Sequence, residues 1–264
     1  MKKILIIMLF LVPFPAMADH AAAVAAPAAL GIVKKWDGRD KGKDLVSKST
    51  FTLINKRGQE RVRKTRRYWI DMEGKNGLDE KSIIFFDEPS DVKGTSLLNW
   101  SYEDAEKDDD QWLYLPALRK IKRIASSDKE KSFMGSDLTF DDMGDRNIME
   151  DEYKLLGEEN FNGHGCFVVE MTPKDKKYMY SRKVKWIDAA QFIDYKTEFY
   201  DRKGRFLKRQ LIEWKQIDNV WVITRMSVKN DQTGHSTVIE IGDISLNGGV
   251  KESQFTKRKM ESGR

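Results

Sequence analysis

The chain is poor in the residues that most site chemistry uses. It has one cysteine, Cys166, and three histidines, His20, His164 and His235, among 264 residues. A lone cysteine forms no internal disulfide, so the fold must rest on a core, and the roughly 245 residues left after the N-terminal segment can bury one. Only His164, in Asn162-Gly163-His164-Gly165-Cys166, lies near the thiol. A hydrolase built on this pair is an enzymatic alternative, but no third orienting group or nucleophile signature accompanies them, and a turn histidine beside a buried cysteine is the simpler reading. Metal-ligand spacings are absent, as is any Gly-rich phosphate loop ahead of a helix. Asp108-Asp109-Asp110 lacks the spacing and glycine of a calcium loop and reads as a solvated hairpin tip. The expectation is therefore no enzyme, no cofactor and no metal.

Long apolar runs are also scarce. Ile4 to Phe14 is the longest, short of the roughly 20 residues that a spanning helix needs. Lys2 and Lys3 precede it and Ala16-Met17-Ala18 follows, the three parts of a secretory signal, so residues 1–18 are expected to be removed and the mature chain to begin at Asp19 in the periplasm. No cysteine follows that cleavage site, which argues against a lipoprotein. The formal net charge of +5 includes Lys2 and Lys3, and the small surplus left without them is weak evidence for a polyanion partner. Export argues against nucleic acid.

What the chain does have is strand pattern. Residues 19–35 are an Ala-rich segment broken by Pro27, read as a flexible leader, with a helix docked on the domain as the alternative. A short helix is expected over Ile32–Trp36. From Thr50 onward, period-two segments separated by turn residues take over. Asn55-Lys56-Arg57-Gly58 joins Phe51–Ile54 to a strand from Glu60 to Met72, and similar turns follow at 73–77, 103–110, 201–204, 218–219 and 230–234. Strands joined by tight turns are antiparallel. The expected fold is mainly β, a single domain over 36–257 followed by a basic tail at 258–264. Other helices are confined to a turn near Ala189–Phe192 and a turn at Tyr153–Leu156. With 7 Trp, 8 Tyr and 13 Phe to place, a large sheet of this kind must close or curl around either a packed core or a ligand cavity.

Trp112-Leu113-Tyr114-Leu115 puts two aromatics on one face and two leucines on the other, so it should be a central strand. Leu118, Ile121 and Ile124 fall at spacing three among Arg119, Lys120, Lys122 and Arg123, which allows a helical turn. Arg61, Arg63, Lys64, Arg66 and Arg67 crowd one strand, either as a charged edge that resists aggregation or as a basic rim for an anionic head group or an acidic partner.

At these residues the sequence resembles a known family. Trp112-Leu113-Tyr114-Leu115-Pro116-Ala117-Leu118-Arg119-Lys120, Arg123-Ile124-Ala125, and Ser132-Phe133-Met134-Gly135-Ser136-Asp137 with Thr139-Phe140 are similar to motifs of the LolA-like outer-membrane lipoprotein-sorting proteins, in the branch associated with RND-type exporters. Glu88-Pro89-x-Asp91-Val92-Lys93-Gly94-Thr95 and Tyr200-Asp201-x-x-Gly204 with Lys208 support the match, which spans about Trp36 to Lys257. The resemblance implies a curved antiparallel sheet, an incomplete barrel, covered by a few helices around an apolar cavity. It further implies a carrier of lipid or lipoprotein acyl chains, with an inner-membrane RND-type transporter or an outer-membrane acceptor as partner; a monomer is expected. Trp112, Tyr114, Leu115, Phe133 and Met134 would then supply apolar wall, while Arg119 or Arg67 would meet a head group. The alternative is an accessory module of an RND-type exporter with a packed interior and no carried ligand.

Overall fold

The computed structural model describes residues 20–263; the export segment expected at residues 1–18 lies outside them. Thirteen strands form one antiparallel sheet: β1 Asp44–Ile54, β2 Glu60–Asp71, β3 Leu78–Glu88, β4 Ser96–Tyr102, β5 Asp110–Leu115, β6 Lys120–Arg123, β7 Asp151–Phe161, β8 His164–Pro173, β9 Tyr180–Asp188, β10 Asp194–Asp201, β11 Phe206–Ile217, β12 Val220–Asn230 and β13 Ser236–Leu246. The strand order is β6-β5-β4-β3-β2-β1-β13-β12-β11-β10-β9-β8-β7. Two meanders, β1 to β6 and β7 to β13, thus meet where β1 pairs with β13. The sheet does not close into a barrel, and β6 and β7, consecutive along the chain, form its two opposite edges.

Turn chemistry sets this register. In the β1–β2 hairpin the Asn55 side-chain oxygen accepts from the backbone N–H groups of Arg57 and Gln59, while Gly58 takes φ 77°, the left-handed conformation that glycine adopts without strain. Pairing then runs unbroken from Ile54↔Glu60 to Asp44↔Ile70.

The pleat gives the sheet an inner and an outer face. Helix α2, Lys257–Ser262, lies on the outer face, where Met260 and Phe255 are fully buried among Ile83, Phe85, Leu98 and Trp112. Helix α1, His20–Asp37, covers the β7–β9 end of the inner face, burying Ala29 and Val33 against Val169, Met171 and Ile187. The long connection from Ile124 to Glu150 crosses the rest of that face. Its Phe133 is fully buried, with ring centroids 6.5 Å from Phe51, 5.8 Å from Phe86 and 5.7 Å from Phe140.

Four local expectations are corrected. The Ala-rich leader is part of α1, because alanine is the best helix former and the helix has an apolar stripe to bury; Ile32–Trp36 is its last part. Tyr153–Leu156 is not helical but lies in β7, pairing from Asp151↔Pro173 onward, with Tyr153 and Leu155 packed towards α1 and Lys154 and Leu156 exposed. In the spacing-three segment only Pro116–Leu118 forms a 3-10 turn, and Lys120–Arg123 pairs with β5 as a strand. The basic tail belongs to the domain, since the buried Met260 anchors α2 to the sheet.

Phe133 joins three other rings in one cluster, so Phe133→Ala should lower the unfolding free energy by about 3–5 kcal/mol. Urea melts of the two proteins compared at equal m-value measure it.

Candidate functional site

Beside the crossing segment, the inner face keeps a cavity of about 350 Å³. Inward-facing residues of β1, β2 and β3 and of β11 to β13 form its walls, and Leu138, Met143 and Asp145 of the crossing segment form its cover. Phe51, Ile84, Met226, Ile239 and Ile241 give it an apolar body.

Three cations line the cavity, Arg39, Lys41 and Arg67. Arg67 projects inward from β2, and among the described residues its guanidinium makes no hydrogen bond or ion pair. Burial pushes its pKa down, opposed by the charges of Glu80 and Asp145. It remains a cation at neutral pH because a guanidinium starts so high. Glu80 is its acidic neighbour. Burial, reinforced by Asp145 and opposed by Lys41 and Arg67, pushes the Glu80 carboxyl up to about 7. Asp79, on the same strand, rises to about 6 through burial and the charge of Asp145. Near neutral pH the cavity therefore presents Arg67 beside a carboxyl that is easily protonated.

Arg39 and Trp214 also line the cavity. Arg39 donates from Nη1 to the Trp36 carbonyl at 2.7 Å and lies 5.1 Å from the Trp214 ring centroid. Both indoles are pinned through Asp194: Trp36 Nε1 donates to its Oδ1 at 2.9 Å and Trp214 Nε1 to its backbone oxygen at 2.7 Å. Lys185 donates to the other carboxylate oxygen at 2.7 Å, closing a buried ion pair. Burial acts to raise Asp194, but Lys185 and the Trp36 hydrogen bond outweigh it and hold the carboxyl below its usual range.

The crossing segment is latched by a second buried pair. Lys208 Nζ lies 2.6 Å from Asp142 Oδ2 and donates to the Asp137 carbonyl at 2.8 Å. Tyr180 also donates to Asp142, at 2.9 Å, and Tyr178 donates to Asp141. One turn away, Asp137 accepts from Thr237 at 2.7 Å and meets His235 Nδ1 at 2.7 Å.

The residues singled out in the sequence divide among three places. Arg67 lines the cavity. Leu115, Phe133 and Met134 belong to the inner-face cluster beside it, and Phe133 fills space there as part of the protein's own core. Trp112 and Tyr114 lie on the outer face under α2, with Lys257 Nζ 4.6 Å from the Trp112 ring centroid. Arg119 is exposed in the β5–β6 turn. Of the basic strand, Lys64 and Arg66 pair with Glu88 and Asp87, and Arg63 donates to the Met134 carbonyl of the crossing segment. The sequence did not single out Trp214, Trp221 and Met226 of the cavity; a register shift between β11 and β12 at Glu213/Trp214 breaks the period-two pattern that would have put Trp221 and Met226 on opposite faces.

The Cys166–His164 pair offers no nucleophile. Burial pushes the thiol up to about 11, and its sulfur faces the His164 carbonyl oxygen at 3.5 Å while the exposed imidazole contacts Tyr195. Among the described residues no group of three or more His, Cys, Asp or Glu side chains could hold a metal ion, and no helix is long and apolar enough to cross a membrane.

The model of a family described as an uncharacterized protein matches residues 78–262. Among solved structures, a domain from Vibrio parahaemolyticus that carries the provisional name outer membrane lipoprotein-sorting protein is 36% identical, with a TM-score of 0.84, covering 89% of this chain and 99% of its own. A DUF1329 family protein from Desulfovibrio piger is 35% identical over the same shares, again at a TM-score of 0.84. A LolA superfamily protein from Nitrosomonas europaea shares the fold at 19% identity and a TM-score of 0.66, with 89% and 99% covered. No curated protein matches the chain.

Ionising Glu80 in its buried site is unfavourable, so its contribution to stability is full below its ordinary pKa of 4.5 and is lost as pH rises through about 7. Glu80→Gln should therefore gain stability over the wild type progressively across that interval, which denaturant melts taken across it will show.

Proposed function

The chain belongs to the DUF1329 family of LolA-like proteins, and from that premise we propose that it is a periplasmic carrier that shelters the acyl chain of a lipid or lipoprotein on its way towards the outer membrane. The single observation that carries this reading is the inner-face cavity, whose apolar body around Phe51, Ile84, Met226, Ile239 and Ile241 adjoins a polar part that holds Arg67 and Glu80. An acyl chain leaves water with a gain of about 0.8 kcal/mol per methylene, so a site of this kind needs apolar wall rather than covalent chemistry. The carrier needs no catalyst, metal or cofactor.

Arg67 is the head-group residue of this proposal. A guanidinium forms two parallel hydrogen bonds to a carboxylate or phosphate, and the Glu80 carboxyl beside it can take up a proton when such an anion arrives. Met226, Ile239 and Ile241 line the path of the chain. Leu115, Phe133 and Met134 supply apolar wall once the crossing segment shifts, because about 350 Å³ lies near the small end of the roughly 300–1,000 Å³ typical of ligand sites. Trp112 and Tyr114 support the strand from its outer side.

The packing of Phe133 into the inner face favours a second reading, an accessory module of an RND-type exporter that carries no ligand. Delipidated protein titrated with a fluorescent fatty acid separates the two. Saturable uptake that Arg67→Leu weakens about tenfold or more, the loss of one charge-assisted contact, is the carrier result. An absence of uptake by the wild-type protein is the accessory result.

A further inference from the structure

The β5–β6 turn lies apart from the cavity, none of residues 116–119 lining it. Leu118, at its tip, is 62% exposed, the most of any large hydrophobic residue among those described. Its position is fixed by the backbone: Pro116 opens a 3-10 turn and Arg119, at φ 48°, closes it by donating from its N–H to the Pro116 carbonyl at 3.1 Å. Pro116 packs against Gly94, where an added Cβ would lie 3.6 Å from its ring, so the β3–β4 turn is held alongside.

Charge is distributed unevenly between the ends of this half of the sheet. The β1–β2, β3–β4 and β5–β6 turns share one end because the strands are consecutive and antiparallel. These turns and the strand ends beside them expose Lys56, Arg57, Arg61, Lys64, Lys93, Arg119 and Lys120 against Glu60, Glu88 and Asp91. At the opposite end, the β4–β5 turn carries Glu103, Asp104, Glu106, Asp108 and Asp109 against Lys107. At the basic end Glu88 is engaged by Lys64 and Asp87 by Arg66, and towards the other end of β5 and β6 Asp110 is engaged by Arg123 and Asp128 by Lys122. Arg119 and Lys120 consequently have no ion pair among the described residues.

We propose that this end of the sheet is a membrane-docking tip, which seats the protein on an anionic lipid surface with Leu118 entering the head-group layer and Arg119 and Lys120 against lipid phosphates. The apolar footprint is a single side chain, far smaller than the core of a standard protein interface, and lysine is depleted from such cores. One apolar wedge among unpaired cations suits a negatively charged leaflet, where each basic residue adds attraction and the total stays reversible. Reversible docking is what a protein moving between two membranes requires.

The test is sedimentation of the purified protein with vesicles of equal parts phosphatidylglycerol and phosphatidylcholine, and with phosphatidylcholine alone. Saturable binding to the anionic vesicles is expected, weakening with added salt, about tenfold or more weaker in Arg119→Glu/Lys120→Glu, weaker in Leu118→Asp and retained in Leu118→Phe. All three sites are at the surface, and matching near-ultraviolet circular dichroism verifies that the variants fold. Arg67→Leu should bind vesicles as the wild type does, which separates the tip from the cavity. Equal binding to both vesicle types, or undiminished binding by the double charge reversal, overturns the proposal. So does an absence of vesicle binding by the wild type, the outcome expected if the tip serves an acidic protein instead.

Discussion

The structure depends on one topological constraint. β6 and β7 follow each other in the chain yet form opposite edges of an open sheet, so the segment between them must cross from one edge to the other. Crossing the inner face, it brings its own apolar residues to a surface that would otherwise face water. Phe133, Leu138 and Phe140 join Phe51, Ile84, Phe86 and Leu97 in a single cluster as a result. The sheet therefore stays open without exposing its concave side, and the space that the crossing segment leaves unfilled is the cavity.

Ionic bonds, rather than further apolar packing, fasten that segment. A buried Lys208–Asp142 pair gains little net stability over a hydrophobic replacement, because both charges lose their hydration. What it adds is position: with Tyr178, Tyr180, Thr237 and His235 as further partners of three neighbouring aspartates, one placement of the segment satisfies every group. A latch made of hydrogen bonds and ion pairs is also one that water can replace.

Much of the sheet was legible because hairpin turns and period-two alternation are local signals. Trp112-Leu113-Tyr114-Leu115 splits between the outer and inner clusters as its alternation requires. The crossing segment was harder to read: its motif stood out, but it has no period, and its contacts with β1, β11 and β13 lie far away in sequence. Alternation also cannot say which face of a curled sheet is concave, so the aromatic pair at 112 and 114 and the leucine at 115 look equally suited to a cavity. Arg67 was one of five cations on its strand; it is told apart by tertiary structure, since Lys64 and Arg66 pair with outer-face carboxylates, Arg63 donates to the Met134 carbonyl, and Arg67 but not Arg61 lines the cavity. The Ala-rich start of α1 and the α2 tail resemble disordered termini in composition, and it is the burial of Val33 and Met260, which sequence does not display, that fixes these short helices on the sheet.

The central claim is that an acyl chain occupies the inner face between the crossing segment and strands β1, β12 and β13. Photocrosslinking with a fatty acid carrying a diazirine near its methyl end, followed by peptide mapping, tests this most directly. The account predicts adducts on the inward-facing residues Met226, Ile239 and Ile241 and on the segment around Leu138 and Met143, all suppressed by excess unlabelled fatty acid. Competable adducts confined to the outer face around α2, or no competable adduct at all, would contradict it.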